Sequence, residues 1–141
     1  MADETCAKCG GTGYVIVERD GSEGAERCSC YEVKRAESRL SKSRIPPNFE
    51  KVTLENFVLP ADNPISRQAL STVFMEVRRY AREFPLGDKP GLLLIGNPGT
   101  GKTHLAVAAM KVLMGRGFNG LFYDYQTLLE HIQRGWDQAS G

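Results

Sequence analysis

The sequence predicts an α/β protein, namely part of a three-layer domain with a parallel sheet and flanking helices, preceded by a small β-hairpin module that carries cysteines. The 4 cysteines lie in close pairs around a hairpin pattern, and farther along a glycine-rich loop separates a short apolar run from a strong helix former. A length of 141 residues with 41% hydrophobic content suffices for one core with an appendage. We expect a cysteine module at residues 1–31, a basic helix and linker at 32–47, and the α/β part at 48–141.

The charge balance excludes a bulk electrostatic attraction to polyanions. The chain carries 18 Lys and Arg against 17 Asp and Glu, a net charge of +1, so any nucleic acid would have to be contacted locally. The N-terminal residues are acidic where a signal peptide would be basic and then apolar, and no apolar run has the length of a membrane span. We therefore expect a cytoplasmic protein that has no membrane partner.

The cysteines have the spacing of a metal site. Cys6 and Cys9 form a C-x-x-C pair, and Cys28 and Cys30 form a C-x-C pair. Thiols stay free in a reducing compartment, which disfavours disulfides, and a redox pair would need a β-α-β context that the glycines after Cys9 do not provide. Zinc is bound by four thiolates at tetrahedral corners. The sequence thus predicts a structural zinc site whose role is in folding rather than catalysis.

The residues between the two cysteine pairs predict a β-hairpin. Residues 14–18 favour extended structure, Asp20 and Gly21 are a two-residue turn signal, and the chain returns through Glu26 and Arg27. Such a hairpin would bring the two pairs together, as a four-ligand site requires.

Two helices are predicted in the middle of the chain. Residues 31–44 are polar and helix-compatible, and Pro46 and Pro47 then block any helix. The basic residues of segment 34–44 are compatible with contacts to nucleic-acid phosphates, but we favour an exposed linker helix. A second, amphipathic helix is predicted between residues 64 and 84, where apolar side chains recur at three- and four-residue steps.

A phosphate-binding loop is predicted after residues 92–95, an all-apolar run typical of a buried parallel strand. The motif G-x-x-x-x-G-K-[ST] is matched in full by Gly96, Asn97, Pro98, Gly99, Thr100, Gly101, Lys102 and Thr103. In such a loop the backbone N–H groups face phosphate oxygens, the lysine reaches the β- and γ-phosphates, and the hydroxyl binds Mg²⁺. Residues 104–114 predict the helix that must follow the loop, with its positive end at the same phosphates.

A second strand and helix complete the predicted order β-α-β-α. Residues 120–123 predict the strand, and a capping box from Thr127 to Glu130 predicts the start of the helix. Asp124 follows the apolar run and superficially resembles a Walker B aspartate, but we favour a role at the start of the helix. No catalytic residue is assigned, and the sequence leaves ATP hydrolysis open.

Residues 96–106 resemble the Walker A segment of the AAA+ ATPases of the DnaC/DnaI helicase-loader and IstB transposition-helper group. The continuation His104, Leu105 and Ala106 narrows the resemblance from P-loop proteins in general to this group. Segments 44–49 and 53–57 are similar to the entry into this domain, and the two cysteine pairs resemble the zinc-binding N-terminal module of many bacterial and phage members.

The resemblance implies ATP and Mg²⁺ at residues 96–103, zinc at the cysteines, and delivery of a replicative helicase to DNA. A replicative helicase, single-stranded DNA and further copies of the chain are the partners that follow from it. The family's Walker B, sensor and arginine-finger motifs lie C-terminal to anything present here, so ring assembly also stays open.

Two alternatives to a helicase-loader-like protein stay open. One is a transposition helper of the IstB type, although such helpers more often begin with a helical segment than with a zinc module. The other is a zinc-dependent interaction module with a non-hydrolysing remnant of an ATPase domain.

Overall fold

The computed structural model describes residues 6–19, 21–88 and 91–139, of which 137–139 are described by their backbone. In chain order the elements are β1 (Tyr14–Arg19), β2 (Ser22–Arg27), α1 (Ser29–Lys42), a short 3₁₀ helix (Pro47–Phe49), α2 (Pro64–Glu83), α3 (Lys102–Gly115) and α4 (Tyr125–Ala139). Helix α3 contacts both α1 and α2. It therefore links the two helices that precede it in the chain.

The predicted hairpin is confirmed. Strands β1 and β2 pair antiparallel, with Tyr14 opposite Arg27 and Arg19 opposite Ser22. Gly21 has a φ of +76°, the left-handed conformation that tight hairpin turns require and that glycine adopts without steric cost. Asp20, the other residue of the predicted turn, lies outside the described residues.

The helices α1 and α2 form where their sequence patterns predict them. Helix α1 ends at Lys42, ahead of the two prolines. Helix α2 begins after Asn63, whose side-chain oxygen accepts hydrogen bonds from the N–H groups of Ile65 and Ser66, 3.1 and 3.0 Å away. The apolar stripe of α2 faces inward, since Val77 and Ala81 are buried.

The core lies between α2 and α3. The buried residues that form it are Leu54, Val77, Ala81, Leu105, Ala108 and Ala109. Ala81 on α2 and Ala108 and Ala109 on α3 are small, so the two backbones can approach closely where these residues meet. None of the helices in the described part of the chain has the length and apolar character that a bilayer crossing requires.

The predicted parallel sheet does not form among the described residues, whose strands are β1 and β2 alone. Residues 92–95 and 120–123, both predicted as strands, have no strand assignment, and the side chains of Leu93 and Ile95 are 83% and 86% exposed. A strand is held by hydrogen bonds to a neighbour, and neither segment has a strand partner in the part of the chain described. The helices and the hairpin agree with the predicted α/β class, whereas the full three-layer arrangement stays a prediction.

Helix α4 begins two residues before the predicted capping box. The Thr127 N–H donates to Asp124 Oδ1 and the Thr127 hydroxyl donates to Oδ2, both over 2.8 Å. Asp124 therefore caps the helix, as we favoured for it, and Thr127 lies inside the first turn instead of ahead of it. Hydrogen bonds from the backbone and side chain of Thr127 lower the pKa of Asp124.

Candidate functional site

The glycine-rich loop runs directly into α3. Gly99 and Gly101 have φ values of +81° and +85°, so the chain turns through two conformations that other residues rarely adopt. Gly101 is the N-cap residue of α3, and Lys102 and Thr103 are its first two helical residues. The structure thus brings all eight predicted residues, 96–103, into one loop and the helical turn that follows it.

The ammonium group of Lys102 lies over this loop. Its Nζ donates to the carbonyl oxygens of Gly96 and Asn97, 2.8 and 2.7 Å away. The Thr100 hydroxyl donates to the same Asn97 carbonyl over 2.9 Å. The positive charge of Lys102 is consequently held at the mouth of the turn, while Thr103 is exposed at the helix start.

The N-terminus of α3 is open to an anion. Its N-cap residue is a glycine, and within the described residues no side chain accepts a hydrogen bond from the first-turn N–H groups in the manner of a cap. These N–H groups and the positive end of the helix macrodipole both favour a negatively charged ligand. The loop, the lysine and the N-terminus of α3 can therefore bind one polyanionic group together.

A turn at residues 53–57 packs against the same end of α3. His104 Nε2 lies 2.9 Å from the Thr53 carbonyl oxygen, which can only accept, so this nitrogen carries the proton. The Phe57 ring meets His104 edge-on, with centroids 5.2 Å apart, and stacks on Phe74 with centroids 5.8 Å apart. We did not predict this contact, because hydrophobic periodicity says nothing about an aromatic residue in a turn.

A largely apolar hollow of about 520 Å³ adjoins the loop. Leu70, Val73 and Val77 of α2 line one side, and Gly96 and Lys102 reach its edge. This volume is within the range of small-molecule sites in proteins, so the loop borders a space large enough for more than a phosphate group.

The sulfur atoms of Cys6, Cys9, Cys28 and Cys30 all lie within 4.8 Å of one another. The Sγ atoms of Cys6 and Cys28 are 3.8 Å apart, and those of Cys9 and Cys30 are 3.4 Å apart. A tetrahedral site with Zn–S bonds of about 2.3 Å requires sulfur separations of about 3.8 Å. Both distances far exceed a disulfide bond of about 2.05 Å. The four thiols are free and so arranged that they could hold a metal ion.

The backbone around Cys9 favours its thiolate form. The Gly13 N–H donates to Cys9 Sγ over 3.4 Å, and this hydrogen bond lowers the pKa of Cys9 to about 6. The pKa of Cys6 is also lowered, chiefly by the N–H groups of Lys8 and Cys9. The hydrogen bond to Cys9 raises the pKa of Cys30 to about 12. The glycine-rich turn after Cys9 therefore stabilises negative charge on the sulfurs of the first pair, as metal ligation requires.

Part of the basic segment 34–44 is engaged in holding α1 in place. Arg39 Nε donates to the Met114 carbonyl oxygen over 3.0 Å, at the end of α3. Arg44 Nη1 donates to the Tyr123 hydroxyl over 3.0 Å. The segment is therefore more than an exposed linker, since two of its arginines have defined partners.

Comparison with known proteins supports the predicted family resemblance. Residues 81–140 match the family of IstB-like ATP binding proteins, a stretch that includes the glycine-rich loop, α3 and α4. Nucleotide binding, and ATP binding in particular, is supported at the level of that family. The predicted resemblance to the DnaC/IstB group of P-loop ATPases is confirmed, at low sequence identity.

Relatives that include a helicase loader and an insertion sequence protein align with most of the chain. The phage-like element PBSX protein XkdC of Bacillus subtilis is 30% identical over 77% of this chain and 41% of its own length. A putative insertion sequence ATP-binding protein of Sinorhizobium fredii is 30% identical over 84% of this chain and 34% of its own. The replicative helicase loader DnaC of Escherichia coli is 29% identical over 75% of this chain and 42% of its own length. The chain thus spans about two fifths or less of these relatives. No solved structure matches it significantly.

Proposed function

We propose that the protein binds ATP with Mg²⁺ at residues 96–103 and acts as a helicase-loader-like protein in DNA replication. The observation that carries the ATP-binding part is the junction of the loop with α3, where the Lys102 ammonium lies beside an uncapped helix N-terminus. On binding, Lys102 exchanges the carbonyls of Gly96 and Asn97 for phosphate oxygens, and charge-assisted bonds of this kind are the stronger ones. Thr103 is the residue that would hold Mg²⁺.

The cysteine cluster is proposed to bind structural zinc. Four free thiols within 4.8 Å of one another, with lowered pKa values on the first pair, are the kind of donor set that structural zinc sites use. A site closed by four thiolates leaves no position for water, so its role is to join the hairpin to the start of α1.

The loader function is favoured over a transposition helper by the cysteine module, and the similarity to a protein named replicative helicase loader is consistent with it. The similarity to an insertion sequence ATP-binding protein keeps the helper as the second candidate. In the loader function the partners are a replicative helicase and single-stranded DNA, and the protein acts in the cytoplasm. The proposal covers nucleotide binding and does not extend to hydrolysis of ATP or to assembly of several copies.

Calorimetric titration with ATP in the presence of Mg²⁺ tests the proposal. The parent chain is expected to take up one nucleotide, and Lys102→Ala to lose at least about tenfold in affinity, because a charge-assisted contact to phosphate is removed. Lys34→Ala, which removes an exposed lysine on α1, is the matched control and should bind as the parent does. Equal binding by Lys102→Ala and the parent would show that the loop does not bind the nucleotide, and would favour the zinc interaction module.

Partner capture separates the two candidate functions. The zinc-loaded protein is mixed with purified replicative helicase or with a purified transposase of an insertion sequence, and complexes are resolved by size-exclusion chromatography. A complex with the helicase supports the loader, and a complex with the transposase alone overturns it.

A further inference from the structure

Arg44 is held in an unusual backbone conformation. Its φ is +60°, in the left-handed region that residues with a side chain seldom occupy. The neighbouring Ser43 is fully buried, and its carbonyl oxygen accepts a hydrogen bond from the Phe122 N–H over 2.7 Å. Arg44 directly follows Ser43, the C-cap residue of α1, and a left-handed residue at this position commonly ends a helix. The contact of Ser43 with Phe122 fixes the point at which the chain leaves α1.

The conformation aims the Arg44 side chain at the start of α4. The guanidinium lies 5.2 Å from the centroid of the Tyr123 ring and donates to the Tyr123 hydroxyl over 3.0 Å. The same hydroxyl lies 3.3 Å from His131 Nδ1. A cation held on an aromatic face and fixed by a hydroxyl has little freedom left, so Arg44 is preorganised for a further ligand.

Arg44 and His131 border a small polar hollow of about 290 Å³. It is lined by Arg44, Thr127, Glu130, His131, Arg134 and Gly135. Arg134 lies one turn beyond Glu130 on α4 and contacts it over 3.4 Å, an exposed pair that contributes little and leaves most guanidinium donors available. Arg44 and Arg134, from separate parts of the chain, thus line one space together with His131. The hollow shares no lining residue with residues 96–103.

We propose that this hollow binds a phosphate group, carried by a nucleic-acid strand or free in solution. Planar guanidinium groups recognise the oxygens of phosphate through paired hydrogen bonds. The proposal does not depend on nucleotide binding at the glycine-rich loop, because the two places have no residue in common.

The test uses the zinc-loaded full chain and two probes. Inorganic phosphate is followed by the amide chemical shifts of residues 44 and 123–135, and a fluorescent oligo-dT strand is followed by anisotropy at several salt concentrations. For the probe that binds, Arg44→Gln and Arg134→Gln are each expected to weaken affinity about tenfold. With oligo-dT each should also reduce the salt slope by about 0.7, the loss of one single-strand phosphate contact. Arg67→Gln, which removes an exposed arginine on α2, is the control.

The outcomes separate the two sources of phosphate. Weakened binding of oligo-dT alone assigns the hollow to a nucleic-acid backbone, and weakened binding of both probes assigns it to phosphate in general. Unchanged binding in Arg134→Gln, whose side chain is exposed on α4 and not needed for folding, overturns the proposal. Lys102→Ala in the same assays should leave both responses intact, even where it abolishes ATP binding.

Discussion

Phe57 lies so close to Gly101 that a Cβ atom built on the glycine would come within 2.6 Å of Phe57 Cε2. Gly101 also has a φ of +85° and is the N-cap residue of α3. The turn at residues 53–57 therefore determines how closely the chain approaches the helix N-terminus. The geometry of the glycine-rich loop depends on this packing as well as on its own glycines.

Gly101→Ala is expected to destabilise the protein by about 1–3 kcal/mol, because the new methyl group meets an aromatic ring and the left-handed backbone is strained. ATP binding should weaken with it, since the first turn of α3 must shift. Denaturant unfolding and calorimetry measure the two effects. Gly115→Ala is the control, because a Cβ there meets nothing within 4 Å. Parent-like stability in Gly101→Ala would contradict the packing described.

Lys111 is expected to stabilise the fold at the edge of the core. Its Nζ donates to the carbonyl oxygens of Phe49 and Val52, over 3.1 and 3.0 Å, and to that of Glu50. Lys111→Met keeps the aliphatic stem but leaves these carbonyls without their donor, so we expect a loss of about 1–3 kcal/mol in unfolding free energy. Lys51→Met, at an exposed lysine, should change stability little, and an equal loss in both variants would refute the role.

Asp124 is expected to make α4 sensitive to acid. Its pKa is lowered from 3.8 by the hydrogen bonds from Thr127, so the carboxylate is favoured in the folded state. Its stabilisation is thus present above the ordinary value and is lost as pH falls from about 3.8 through the lower folded value. The Thr127 amide shift, followed by NMR across this range, should report the transition. Asp124→Asn keeps a capping oxygen without the charge and should show no such transition.

The metal is expected to be necessary for the order of the hairpin. An isolated two-stranded hairpin is marginal in water, and site formation and folding are coupled in small metal modules. Chelation, or the substitution Cys9→Ser, should release the metal and remove hydrogen-exchange protection from β1, with metal content measured by mass spectrometry. Ser29→Ala, between the second pair of cysteines, should retain both. Protection that survives verified metal removal would count against a folding role.

Local patterns were enough to predict the hairpin and the helices α1, α2 and α3. The apolar stripe of α2 and the prolines after α1 act within a few residues of themselves, so no knowledge of distant contacts was needed. The Thr-x-x-Glu pattern placed the cap of α4 at Thr127, which was wrong, whereas the role at the helix start that we favoured for Asp124 is confirmed by its two hydrogen bonds from Thr127. Residues 92–95 were predicted as a strand from their apolar character, but strand formation also depends on a partner.

By itself, the sequence determined the chemistry that the chain carries: paired thiols around a turn, and a glycine-rich loop with a lysine and a hydroxyl ahead of a helix. Only the tertiary structure decided which groups meet. Phe57 against Gly101, the Lys111 ammonium among three carbonyls, and Arg44 over Tyr123 join residues far apart in the chain. Spacing along a chain specifies local conformation, whereas such contacts arise from how the helices pack and which polar groups that packing must satisfy.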